Sequence, residues 1–382
     1  TIDLRDLGSE LAVLGWTKEP GEEGTARFEL KLGEGHPEAL RSFAVETPTL
    51  RATGTARFNS GDGRLRSVEF SNLESGRTRL QRARIEWEDD ETRVALGDGS
   101  VDLLPVFAAP ETLASPQGRK TLNVTASGLS PVWVDENGWL DDLSGAMRRG
   151  ANGWQLLKFD VRVPAAWASR EWAQGAAVQM TIEPATSATL SAKLTTEDLG
   201  GLMRLIGWGT VLRGGSLSLA AQDLSPGLDR GHLRVEARRF SVADTPLGVR
   251  LLSMASLESL VNTLQGENLF FDELDGDIEM DSDTVRLAEV RAHGSSLGWV
   301  TRGTIDRSSG EIALSGILIP AYTANRFLHA VPVLREVIVG EGILSVDFEI
   351  GGTLEEPELE THPMSAITPE LLRRVFGGGG AR

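Results

Sequence analysis

Thr25-Ala26-Arg27-Phe28-Glu29-Leu30-Lys31-Leu32 alternates strictly, with Ala26, Phe28, Leu30 and Leu32 on one side and Arg27, Glu29 and Lys31 on the other. A two-residue period marks a β-strand with one apolar and one wet face, because successive side chains of a pleated backbone point to opposite sides. The same reading holds outward along the chain. It recurs at Ala83/Ile85/Trp87, Phe159/Val161/Val163, Val178/Met180/Ile182, Leu190/Ala192/Leu194, Leu217/Leu219/Ala221 and Leu233/Val235/Ala237. It continues at Ile278/Met280, Val285/Leu287, Ile312/Leu314 and Leu344/Val346/Phe348/Ile350. About eighteen to twenty such runs, punctuated by Asp62-Gly63, Asn137-Gly138 and Asp275-Gly276, predict a mainly β chain built as a long antiparallel meander with hairpin turns.

Four segments have helical spacing instead. Leu199, Leu202, Met203 and Ile206 follow Thr196 and two acidic residues, which would cap the start of a helix and favour its dipole. Leu251, Met254, Leu257, Val261 and Leu264 form a second stripe, and Ala324, Phe327, Leu328, Val331, Leu334 and Ile338 a third, interrupted at Pro332. Thr368-Pro369 opens a fourth, carrying Leu371, Leu372, Val375 and Phe376. Residues 164–176 read as a loop or short helix. Strands give way to strands mixed with helices near 184–196, which divides the chain into a strand-rich segment 1–185, a mixed module 186–376 and a flexible tail 377–382.

The composition narrows the function. The chain has 382 residues, 38 Lys+Arg against 55 Asp+Glu, a formal charge of -17 and no cysteine. That charge disfavours nucleic acid and anionic head groups as electrostatic partners, and the missing cysteines exclude disulfides and thiolate chemistry without choosing a compartment. No window of about 18 apolar residues is present to span a membrane as a helix. An opening at Thr1 within an alternating pattern reads as a piece of a longer protein, with any targeting segment upstream.

Candidates for chemistry are sparse. His36, His232, His293, His329 and His362 stand apart without metal-ligand spacing. Asp272–Asp283 is acidic but places Leu274 and Asp283 where a calcium loop needs an oxygen ligand and a glutamate, so it reads as a charged turn and strand edge. Gly294-Ser295-Ser296-Leu297-Gly298 has the letters of a nucleophile elbow beside His293, yet Trp299, Thr301 and Ile305 continue as strand where a helix is required. The residues therefore predict no enzyme, cofactor or metal. They leave open what covers the apolar faces: a second sheet in a sandwich, or an apolar ligand in a groove formed by a curved sheet.

Several stretches carry a resemblance. Thr196–Gly207, Leu212–Leu219, Pro246–Leu257, Gly303–Asp306, Ile319–Asn325, Gly340–Gly342, Gly351–Pro357 and His362–Ala366 resemble, in order and spacing, the C-terminal region of the AsmA-like family of bacterial envelope proteins, its large YhdP-type members in particular. Gly54–Phe58, Leu73–Thr78 and Val101–Pro105 look like the strand-rich region that precedes this module. The resemblance implies a long curved antiparallel sheet folded as a taco-like hydrophobic groove. It also implies a periplasmic location, a tether to the inner membrane through an upstream segment, and service as a bridge-like conduit for phospholipids between inner and outer membranes, without a catalytic set.

On that reading Phe28, Leu30, Ile85, Phe159, Val161, Met180, Val235, Leu287, Leu314, Val346 and Phe348 are the expected groove residues. Leu251, Met254, Leu257, Val261, Phe327 and Leu334 belong to expected capping helices, and Leu372 and Phe376 to a helix suited to a membrane surface. Phospholipids are the expected partners, with inner- and outer-membrane proteins beside them. The rival readings are an envelope scaffold that assists outer-membrane proteins through sheet edges, and a hydrolase using Ser296 with His293.

Overall fold

The computed structural model describes residues 1–11, 15–33, 37–59, 62–108, 121–151, 153–172, 174–206, 212–242, 269–294, 297–320, 344–354 and 356–366. The chain is mainly β and divides into two compact units, Thr1–Trp167 with Gln174–Pro184, and Ala168–Ala173 with Ala185–Arg382.

The first unit contains β1 (Ile2–Asp3), β2 (Ser9–Leu11), β3 (Trp16–Lys18), β4 (Thr25–Leu32), β5 (Pro37–Glu46), β6 (Leu50–Phe58), β7 (Leu65–Ser75), β8 (Thr78–Trp87) and β9 (Glu91–Asp102). A short helix α1 (Leu104–Ala108) follows, then β10 (Thr121–Trp133), β11 (Trp139–Gly150), β12 (Gly153–Val163) and β13 (Ala176–Pro184). Strands β4 to β13 lie side by side in chain order, β1 pairs with β4, and β2 with β3 form a separate ribbon. The meander is antiparallel with one exception. β9 and β10 run parallel, Val94 opposite Val124, and α1 follows β9 in the stretch of chain between them.

The second unit contains β14 (Leu190–Thr196), α2 (Leu199–Leu205), β15 (Leu212–Leu224), β16 (Gly231–Val242), β17 (Leu269–Met280), β18 (Thr284–His293), β19 (Leu297–Asp306), β20 (Ile312–Pro320), β21 (Leu344–Gly352) and β22 (Pro357–Ala366). β14 to β22 also follow chain order, each neighbouring pair antiparallel. Neither run closes into a barrel: among the described residues β4 does not pair with β13, nor β14 with β22.

One local expectation changes. Asp275-Gly276 is not a turn; it lies mid-strand in β17, where Gly276 faces Val290 and a Cβ would stand 2.7 Å from the valine Cγ2. Asp198, one of the two acidic residues after Thr196, caps α2, and segment 164–176, read as a loop or short helix, contributes one 3₁₀ turn, Arg170–Trp172. The helices expected at 251–264, 324–338 and 368–376, the tail and Ser296 lie outside the described residues. Gly294, just after β18, donates its N–H to the carbonyl of Leu297, the first residue of β19, at 2.9 Å.

Each unit has an anchor. In the first, Trp16, Leu50, Ala52, Leu73, Leu80, Ala83, Val101, Leu129 and Val132 form one buried cluster, and the Trp16 indole N–H donates to Thr49 Oγ1 at 2.9 Å. In the second, the fully buried Asp198 carboxylate accepts from Ser169 N at 2.6 Å, Ser169 Oγ at 2.6 Å and Gly201 N at 2.8 Å. This holds the 3₁₀ segment against α2, whose Leu199, Leu202 and Leu205 are buried.

Candidate functional site: two registered apolar faces

Strand register turns individual alternation into a surface. In the first unit one line of cross-strand partners runs Phe28, Phe43, Gly54, Phe70, Ala83, Leu96, Ala126, Gly145, Phe159 and Met180, from β4 to β13. The line beside it runs Leu30, Leu40, Ala56, Val68, Ile85, Val94, Val124, Met147, Leu157 and Ile182. Directly paired residues share a face, so ten strands present one apolar side. At a spacing of about 4.8 Å per strand, each line covers roughly 40 Å across the strands.

The second unit repeats the arrangement. Leu194, Leu219, Val235, Gly276, Val290, Thr301, Gly316 and Phe348 form one line, and Ala192, Ala221, Leu233, Ile278, Leu287, Gly303, Leu314, Ile350 and Leu359 the next. A third joins Leu217, Ala237, Leu274, Ala292, Trp299, Leu318 and Val346.

The sequence-derived groove residues whose side chains are described fall on these faces. Phe28, Phe159 and Met180 share the first line of the first unit, and Leu30 and Ile85 the second, while Val161 pairs with Val178 two residues beyond Phe159. Val235 and Phe348 share a line in the second unit, Leu287 and Leu314 another, and Val346 is the partner of Leu318. Their exposure differs. Phe28 and Leu30 are 43% and 40% exposed, Phe348 only 4%, and Ile85, Phe159, Val161, Met180, Val235, Leu287 and Leu314 are half-buried. The side chain of Val346 is outside the described residues.

Rings on these faces lie across glycines. A Cβ at Gly145 would stand 2.5 Å from Phe159 Cδ1, and one at Gly316 would stand 2.4 Å from Phe348 Cζ. Removing the side chain opposite an aromatic lets the ring lie along the sheet and cover backbone. Phe43 with Phe70, centroids 5.8 Å apart and edge to face, and Phe240 with Phe271, stacked at 5.3 Å, add further aromatic surface. Sequence inspection missed Phe43, Phe70 and Trp299. Phe43 sits three residues after Leu40, which is in the neighbouring line on the same strand, a spacing that only the β-bulge between them reconciles with one face.

The opposite sides are rich in charge. In the first unit Arg41 Nη1 meets Glu29 at 3.4 Å, Lys31 Nζ meets Glu38 at 2.5 Å, Arg84 meets Glu86 at 2.6 Å, and Arg82 pairs with Asp98. In the second, Arg234 reaches Glu236 at 3.2 Å and Asp277 at 3.1 Å, while Arg291 Nε donates to Asp275 at 2.6 Å. The hydrogen bond to Glu236 raises the Arg234 pKa, that to Asp275 raises Arg291, and that from Arg286 lowers Glu279. Exposed pairs of this kind are worth about 0–1 kcal/mol each; what they do is keep that side wet.

No group of three or more His, Asp or Glu is placed to hold a metal ion among the described residues. His293 lies 3.6 Å from Glu273. No helix among the described residues is long and apolar enough to cross a membrane. No family model, curated protein or solved structure matches the chain.

Proposed function

We propose that this chain is part of a periplasmic conduit, tethered to the inner membrane through a segment outside this sequence, that carries phospholipids between inner and outer membranes without chemistry on the lipid. The observation that supports it is the register. In each unit, separate amphipathic strands align their apolar residues into lines that cross ten strands of the first unit and seven to nine of the second, with few polar interruptions. An acyl chain laid along such a line leaves water at about 0.8 kcal/mol per buried methylene, while the head group stays hydrated at the rim. A surface of repeated, similar sites favours passage over tight capture, which suits a carrier. The resemblance to the AsmA-like family agrees with this reading.

The test is native mass spectrometry with lipid extraction on the purified chain. The comparison is wild type against a variant carrying Val235→Asp, Leu314→Asp and Val346→Asp, both first checked as folded by circular dichroism. Copurified phospholipid that the folded variant loses is the expected result. A folded wild type free of lipid would sink the proposal and favour a scaffold that acts through protein contacts.

A further inference from the structure

Trp299 Nε1 and Trp167 Nε1 are the buried side-chain polar atoms without a hydrogen-bond partner among the described residues. Their positions differ. Trp167 follows β12 in a turn, with its ring 6.1 Å from that of Trp139. Trp299 stands in β19 on the registered apolar face, directly between Ala292, 1% exposed, and Leu318, 3% exposed, with its ring 5.5 Å from Phe271.

A sealed donor is costly in a particular way. Water does not reach the nitrogen, so the hydrogen bond that indole makes in the unfolded chain is lost without replacement. Phenylalanine would fill a similar apolar position without this cost. Buried unsatisfied groups are rare in native proteins and call for a specific explanation. Indole N–H is a donor only, so what completes it is an acceptor. On an apolar face, the acceptor must arrive on a molecule that is otherwise apolar nearby.

Resting on the conduit reading, we infer that Trp299 is a recognition residue whose indole N–H donates to the ester carbonyl of a fatty-acyl lipid lying on the second unit's apolar face. An ester carbonyl suits the position because it is uncharged, accepts one hydrogen bond and sits where the hydrocarbon chain begins. A charged phosphate would bring a larger desolvation cost to a site flanked by alanine, leucine and phenylalanine. As the chain displaces apolar packing around the ring, the carbonyl meets the indole edge. The donor therefore separates acyl esters from hydrocarbon of equal length and from the apolar side chains of a protein partner.

The experiment compares a diester phosphatidylethanolamine with its dialkyl ether analogue of the same chains and head group, competing for the purified full chain in native mass spectrometry. Wild type is expected to prefer the ester by about five- to tenfold, the worth of roughly one net hydrogen bond. Trp299→Phe is expected to bind both lipids equally, at the level of the ether in wild type, and to melt in the absence of lipid at the same or a higher temperature. Should that variant misfold, benzothienylalanine at position 299 keeps the bicyclic shape while replacing N–H by sulfur, and the same loss of preference is expected. Equal binding of ester and ether by wild type, or an ester preference kept in the folded variant, overturns the role of Trp299 and leaves the conduit reading standing. Binding of neither lipid by wild type overturns both.

Discussion

The two units anchor themselves by opposite means. The first buries Trp16 from the small β2–β3 ribbon among Leu50, Leu73, Leu80 and Leu129, so its anchor is mainly apolar surface removed from water. The second buries a carboxylate, Asp198, and satisfies it with two bonds from Ser169 and one from Gly201. An apolar anchor tolerates small shifts, because dispersion and hydrophobic gains vary smoothly with contact area. A buried carboxylate has no such latitude: with its partners it fixes one geometry, and without them it is a large penalty. The Trp16 cluster takes in the middle of the first registered line, for Ala83 belongs to it and Phe43, Phe70, Leu96 and Ala126 pack against it, whereas Phe28 and Leu30 at the β4 end stay 43% and 40% exposed.

The comparison breaks most readily at Trp16. Trp16→Ala is expected to lower the stability of the first unit by about 3–5 kcal/mol, from lost burial and a cavity that the surrounding leucines only partly fill. Urea unfolding followed by the fluorescence of the remaining tryptophans would read it. A loss under about 1 kcal/mol would mean that the ribbon is an ornament on a sheet that holds itself together.

Asp198→Ala is next, at about 2–4 kcal/mol, because it removes a helix cap and strands the Ser169 and Gly201 N–H groups in a buried site. Hydrogen exchange should show lost protection at Ser169 and at Gly201 and its neighbours in α2, with the first unit unchanged. Asp198→Asn sharpens the point. It keeps one acceptor oxygen but lacks the second, so it should fall between wild type and the alanine variant. Equal behaviour of asparagine and wild type would show that one of the Ser169 bonds contributes nothing.

A third contrast separates anchor from working surface. Phe28 is 43% exposed on the same face that holds the Trp16 cluster. Phe28→Ser should cost less than about 1 kcal/mol, as substitutions at half-exposed positions do, yet reduce the lipid that copurifies with the chain. If stability falls as far as in Trp16→Ala, Phe28 belongs to the core and not to the surface on which an occupant rests.

These contrasts also mark what sequence could reveal. Alternation at Thr25–Leu32 and at Leu344–Ile350 discloses strands and their apolar sides, because side-chain direction is a local property. Alignment of those sides into lines is not local: it depends on register, and a one-residue slip would exchange the faces. Bulges such as the one between Leu40 and Phe43 restore the alignment where spacing departs from two, and nothing in that tetrapeptide announces it. Asp275-Gly276 carries the letters of a hairpin turn, but Val290 leans over the glycine and the pair is strand. The parallel β9–β10 pair, the Asp198–Ser169 contact and the orphan indole of Trp299 likewise depend on partners far along the chain. Residues of the apolar faces could be named from local alternation, whereas the anchors of the two units and the unsatisfied donor could not.

The smallest expected effect concerns pH and one turn of the second unit. Asp306 Oδ1 accepts from Ser308 N at 2.9 Å, Ser308 Oγ at 2.6 Å, Ser309 N at 2.8 Å and Ser309 Oγ at 3.0 Å. Led by the Ser308 hydroxyl, these bonds lower its pKa from the ordinary 3.8 to about 2. Arg307 in the same turn donates to the carbonyls of Asp229 and Asp281 at 3.1 and 3.2 Å, so the turn ties together three connections between strands. The folded carboxyl holds its proton more weakly than the unfolded one. Its contribution is therefore full above the unfolded value near 4 and is lost as pH falls through about 2. Wild type should exceed Asp306→Ala in melting temperature at pH 6 by a small margin that shrinks steadily between pH 4 and pH 2. A margin that stays constant over that interval would mean that the serines hold the turn equally well with the carboxyl protonated.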